Sequence, residues 1–156
     1  MLSDGINKHQ LHISGKEVDV YPSTTPDCPI IYLNTFQKEG DRVYQVLRND
    51  YCPDFTLVAI SGLEWDHDMA PWDIPAISKN DTPCTGGADD YLRFLSSEII
   101  PKVERGISVS WRGITGYSLA GLFAVYALYQ TELFERVATM SGSMWFPDFK
   151  EYIFSH

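Results

Sequence analysis

The segment Gly116-Tyr117-Ser118-Leu119-Ala120-Gly121 sets a serine among small residues in the pattern G-x-S-x-A-G. A serine hydroxyl becomes a useful nucleophile when a neighbouring base takes its proton. A tight turn between a strand and a helix exposes such a hydroxyl at the edge of a sheet, the nucleophile-elbow arrangement. The helix that follows points its partial positive charge and free N–H groups at the reacting carbonyl. The chemistry expected of this pattern is acyl transfer, with Ser118 attacking and the Leu119 N–H holding the developing oxyanion. Small residues at 116, 120 and 121 let the turn pack closely on its neighbours. The plainer reading is an ordinary turn in which Ser118 only caps a helix. A strand expected over 111–115 and an apolar helix over 122–129 favour the nucleophile.

The elements that must position this turn follow from the hydrophobic pattern. Residues 11–13 and 18–21 read as short strands around a Ser14-Gly15-Lys16 turn, an N-terminal antiparallel hairpin. The apolar runs 30–33 and 55–60 fit strands buried on both faces. Val43, Val46 and Leu47 have helical spacing within 41–49, as do Tyr91, Phe94, Leu95, Glu98 and Ile99 further on. Asp89 and Asp90 favour the start of that second helix. Residues 66–87 read as a long irregular loop, and loops of that length in compact domains usually serve function. Residues 136–140 are a last strand. The alternation predicts an α/β fold with a mostly parallel sheet flanked by helices. The 156 residues are expected to form a single, partial domain of this kind, 1–156.

Composition narrows the partners. An apolar share of 44% and a charged share of 21% are ordinary for a globular chain. The formal net charge of -9 disfavours nucleic acid, whose binders cluster Lys and Arg. It disfavours an anionic membrane surface too, and no apolar run is long enough to span a bilayer. Residues 1–5 lack a basic stretch leading into an apolar one, so no leader is expected. Cys28, Cys52 and Cys84 form no CxxC pair and read as reduced thiols of a cytoplasmic protein. Cys84 has no basic neighbour in sequence that would make it a thiolate nucleophile. Asp66, His67 and Asp68 are adjacent on a loop and do not make a plausible ion cage, so no metal site and no cofactor are expected. His9 and His12 read as surface residues, and Phe123, Tyr126 and Tyr129 as core.

With these residues in view, the chain resembles the bacterial esterases related to esterase D and to the enterochelin (siderophore) esterases, in the α/β-hydrolase superfamily. The likeness rests on Pro29-Ile30-Ile31-Tyr32-Leu33-Asn34-Thr35-Phe36, on Glu64-Trp65-Asp66-His67-Asp68-Met69-Ala70-Pro71-Trp72, and on Gly86-Gly87-Ala88-Asp89-Asp90-Tyr91. Ile99-Ile100-Pro101, the 116–121 turn and Ser141-Gly142-Ser143-Met144-Trp145 complete it, from about residue 18 onward. The resemblance implies a serine carboxylester hydrolase acting through an acyl-serine on a small-molecule ester. It implies a second oxyanion donor at the end of the first parallel strand, Thr35 or Phe36, where Asn34-Thr35 replaces the commoner His-Gly or Asp-Gly. Trp65, Asp68, Trp72, Tyr117 and Trp145 become pocket candidates, although the tryptophans of the 64–72 segment serve equally as anchors to the core.

The family's triad runs Ser, acid, His. Only about 35 residues follow the turn here, and the one later histidine is His156, the final residue. Asp148 is the best placed of the later acids, which also include Glu132, Glu135 and Glu151. A triad of Ser118, Asp148 and His156 is disfavoured because terminal residues are poorly held. The expectation is a chain that stops before its acid and base, with a sheet incomplete at the C-terminal end. Its exposed sheet edge invites a homo-oligomer. The alternative to an esterase is an inactive remnant that acts, if at all, through association.

Overall fold

A computed structural model describes residues 5–49 and 52–156. Residues 1–4, on which most of the no-leader reading rests, lie outside it. A six-stranded mixed sheet has the order β1-β2-β4-β3-β5-β6, from β1 (His9–Ile13), β2 (Lys16–Tyr21), β3 (Cys28–Asn34), β4 (Thr56–Ser61), β5 (Val109–Tyr117) and β6 (Arg136–Met140). β1 and β2 form the expected hairpin, turning through Ser14 and Gly15, both at positive φ. β2 then pairs antiparallel with β4, whereas β4, β3, β5 and β6 run parallel. Parallel strands align their C-terminal ends, so Asn34, Ser61, Tyr117 and Met140 share one edge of the sheet.

Alternation sends successive side chains to opposite faces. Ile30, Tyr32, Val58, Ile60 and Ile114 face the large core under α3 (Ala88–Phe94), α4 (Ile100–Val103) and α5 (Leu119–Gln130). A π-helical stretch, Leu95–Ile99, joins α3 to α4. α5 is apolar almost all round, and its residues from Leu119 to Ala124 are buried, as such a helix must be. Tyr21, Leu33, Leu57 and Ala59 face the smaller core under α1 (Gly40–Asn49), where Val43 and Leu47 pack while Val46 is exposed. On that face no helix of the described residues covers β5 and β6, and Trp111, Thr115, Ala138 and Met140 help to line an apolar groove of about 400 Å³.

Two parts of the chain fold into more than the sequence reading foresaw. The 66–87 loop holds a short helix, α2 (Trp65–Asp68), and an antiparallel bridge between Ile74 and Cys84. The last residues form α6 (Phe149–Ser155), whose Phe149 and Tyr152 pack against Trp72. Among the described residues no helix is long and apolar enough to cross a membrane.

Candidate active site

Ser118 stands between β5 and α5 with φ 54° and ψ -124°. Positive φ is uncommon for a residue with a side chain and costs of order 1–3 kcal/mol, so surrounding contacts must impose it. Those contacts are visible. The Ser118 N–H donates to the Met140 carbonyl (3.1 Å). The Ser118 carbonyl accepts from Gly121 (3.0 Å), Leu122 (3.2 Å) and Ser143 (3.0 Å). A Cβ on Gly116 would lie 2.6 Å from the Ala120 backbone. One on Gly121 would lie 2.5 Å from Thr139 Oγ1 and 3.0 Å from the Gly116 carbonyl oxygen. The chain therefore reverses in a space that admits no further atoms, and the serine side chain is left exposed at the sheet edge. Leu119 opens the helix, so its N–H has no intrahelical acceptor.

Ser118 and Leu119 line a cavity of about 330 Å³. Trp65, Ile74, Pro75, Ile77 and Trp145 supply apolar walls; Asp66, Asp81, Thr82 and Ser143 supply polar ones. Hydrogen bonds hold the 64–87 wall. Thr82 donates its hydroxyl to Asp66 Oδ2, Thr85 N–H to the Asp66 carbonyl (2.9 Å), and Gly86 N–H to Asp73 (2.8 Å). The ring of His67 meets Thr85 Oγ1 at 2.8 Å. Cys84 also lines the cavity, and burial followed by the nearby Asp66 charge pushes its thiol pKa up, away from thiolate chemistry.

The other site candidates lie around this cavity and do not line it. Thr35 spends its N–H on the Ile60 carbonyl (2.8 Å) because the β3–β4 ladder runs one residue past the strand, so its amide has no free proton to offer. Phe36 is exposed and packs edge-on against Trp65 at 5.1 Å. Tyr117 turns away from the cavity toward Glu39, donating its hydroxyl at 2.6 Å, with Trp65 beside its ring. Burial, then the Glu39 bond, raises the Tyr117 phenol to about 12, and the Phe36 N–H acts on it in the opposite direction. Asp68 is buried beneath the wall, where its Oδ2 accepts from Glu64 N–H (2.9 Å) and pairs with Lys16 at 3.1 Å. Trp72 is the anchor of the two readings given for it: its indole N–H donates to the Pro147 carbonyl (2.9 Å), and its ring meets Tyr126, Phe146, Phe149 and Tyr152.

None of the four histidines lines the cavity. His9 and His12 are exposed on β1. His156 ends α6, its Nδ1 2.9 Å from the Tyr152 carbonyl and its ring on Tyr152. Asp148 is the residue before α6, with φ 67°. Sequence reasoning passed over Asp66, Ile74, Ile77, Asp81 and Thr82 as cavity residues, because the Ile74–Cys84 bridge and the bonds of Thr82 and Thr85 to Asp66, which join residues far apart in sequence, bring the far half of the loop back to Ser118.

Comparison with known proteins gives the family and the fold. Residues 33–153 match the family model Esterase, described as "Putative esterase". No curated protein matches the chain. The siderophore hydrolase EstA from Aspergillus nidulans superposes with a TM-score of 0.76 at 19% identity, over 96% of this chain and 61% of its own. The BES protein from Bacillus cereus gives 0.72 at 18% identity, over 96% and 67%. The enterobactin and salmochelin hydrolase IroE gives 0.67 at 20% identity, over 96% and 66%. The chain thus spans about three fifths to two thirds of the length of these structures, with the same α/β-hydrolase-like fold. By the match across residues 33–153 and the fold that carries it, the chain belongs to the esterase family.

Proposed function

We propose that the chain is built for serine carboxylester hydrolysis of the esterase D and siderophore-esterase type, with Ser118 as nucleophile. The observation that carries this reading is the positive φ of Ser118 at a sterically closed strand-to-helix turn, with its side chain on a cavity. This is the nucleophile-elbow arrangement. Ser118 Oγ bonds to the ester carbonyl carbon while its proton passes to a base. The tetrahedral oxyanion takes a hydrogen bond from Leu119 N–H at the α5 N-terminus. The C–O bond to the alcohol breaks, the alcohol leaves with a proton, and water then releases the acid from the acyl-serine. Of the two candidates for the second donor, Thr35 is committed to Ile60 and the Phe36 N–H faces the Tyr117 hydroxyl, so a second donor requires the Phe36 amide to turn from Tyr117 toward the cavity. No histidine on the cavity supplies the base, so turnover requires one from beyond the lining residues. Small esters are the substrate class, with siderophore esters first to try, since two of the matched structures are named for hydrolysing such molecules.

Intact mass after treatment with a fluorophosphonate tests the reading. One adduct, absent from Ser118→Ala, is expected. A folded sample that stays unlabelled at millimolar probe removes Ser118 as a nucleophile in this chain.

One observation favours association as a second property. β6 is a sheet edge exposed along most of its length, without proline, lysine or bulge to guard it. A second copy paired antiparallel about Ala138 sets Arg136 against Met140 and brings no like charges together. Light scattering from 10 to 200 µM should then show a dimer growing in with about that concentration range; a constant monomer mass ends this reading.

A further inference from the structure

We propose that the ester seated at Ser118 carries a positive charge, an ammonium group held toward Asp66 and Asp81. The inference rests on the Ser118 cavity being the substrate site. Among the described residues, two carboxylates line that cavity and no lysine, arginine or histidine does. Asp66 is fixed there by the Thr82 hydroxyl on Oδ2 and by Thr85 N–H on its own carbonyl. It has no ion-pair partner among the described residues, and neither has Asp81, whereas Asp68 just beneath is paired with Lys16. His67 and Lys79, the basic residues of the same loop, do not line the cavity.

The chemistry sharpens the consequence. Attack by Ser118 builds negative charge on the carbonyl oxygen, and the two carboxylates raise the energy of that charge. The Leu119 N–H and the α5 N-terminus offset only part of it. A cation brought in by the substrate offsets the rest and is itself attracted before any chemistry begins. Trp65 and Trp145 border the same space, and indole faces attract ammonium groups as well. An ester bearing a carboxylate meets the opposite field and is turned away.

Binding to Ser118→Ala separates this inference from catalysis. Tryptophan fluorescence would be titrated with acetylcholine, with its neutral isostere 3,3-dimethylbutyl acetate, and with 3-acetoxypropanoate. The expected order is cation, neutral, anion, with about ten-fold between the first two, shrinking in 0.5 M NaCl. The preference should fall in Asp81→Asn, which disturbs no hydrogen bond of the wall, and vanish in Asp66→Asn combined with Asp81→Asn. Equal binding of cation and isostere overturns the proposal, as does a preference that survives the double substitution in a sample with unchanged circular dichroism. If the cation is preferred but Ser118 is never labelled in the unsubstituted chain, the esterase reading fails and the charge preference stands.

Discussion

Around Ser118 the backbone is fixed by what cannot fit: Cβ atoms at 116 or 121 would collide with backbone or with Thr139. Across the cavity the 64–87 wall is fixed by what it binds: Thr82 to Asp66, Gly86 to Asp73, Trp72 to Pro147 and to the rings of α5 and α6. The first region is rigid because it is full. The second is held by a few polar contacts and one aromatic anchor, so it can change its side chains without losing the turn. An acyl-transfer site needs both: a nucleophile that does not move, and a wall whose chemistry can be retuned.

The comparison breaks most visibly at Trp72. Trp72→Ala should cost about 3–5 kcal/mol, read as the drop in urea midpoint, because it empties the centre of a five-ring cluster. Trp65→Ala, on the cavity, should cost clearly less; equal losses would mean that both tryptophans are anchors. At the turn, Gly121→Val should cost about 3 kcal/mol or more, since the added atoms meet the Gly116 carbonyl and Gly142 Cα as well as Thr139. Full stability in that variant would show that the turn has slack.

Fluorophosphonate labelling should rise about ten-fold per pH unit from pH 7 to 9, as hydroxide does, because no imidazole lines the cavity. A plateau near pH 7 would mean that a histidine, with His156 the first suspect, reaches Ser118. Ser118→Gly should abolish labelling yet stabilise the fold by about 1 kcal/mol, since glycine adopts φ 54° freely. That is a melting temperature about 2–4 °C higher for a chain of this size. The smallest effect is at Cys84. Its raised pKa leaves little thiolate at pH 8, and Asp66→Asn removes the negative charge that contributes to the rise. Iodoacetamide should then alkylate Cys84 about two- to three-fold faster; an unchanged rate would assign the whole shift to burial.

The turn was legible in the sequence because its cause is local: six consecutive residues carry the small side chains, the serine and the start of an apolar helix. The hairpin and the parallel strands were legible for the same reason, as runs of one character between turn residues. What escaped depends on distant partners. Only pairing shows that β2 lies beside β4, or that Ile60 claims the Thr35 N–H. Trp65 and Trp72 look alike in sequence, yet one faces the cavity and the other the rings of α5 and α6. α6 went unread because Phe149, Tyr152 and Ile153 make too short a stripe to stand out without Trp72 as partner.

The strand order β2-β4-β3-β5 carries one more consequence. From β3 the chain moves to one side to lay down β4, then crosses back over β3 to lay down β5. Connections that depart in opposite directions from neighbouring strands leave a crevice between them at the carboxyl ends, a topological switch point. Thr35 and Phe36 leave β3 at that place, and Ser118 leaves β5 at the same place. The location of the proposed site is thus set by the path of the backbone. Side chains decide what is done there, and the wall that chooses the ligand can be rewritten without moving the place where ligands sit.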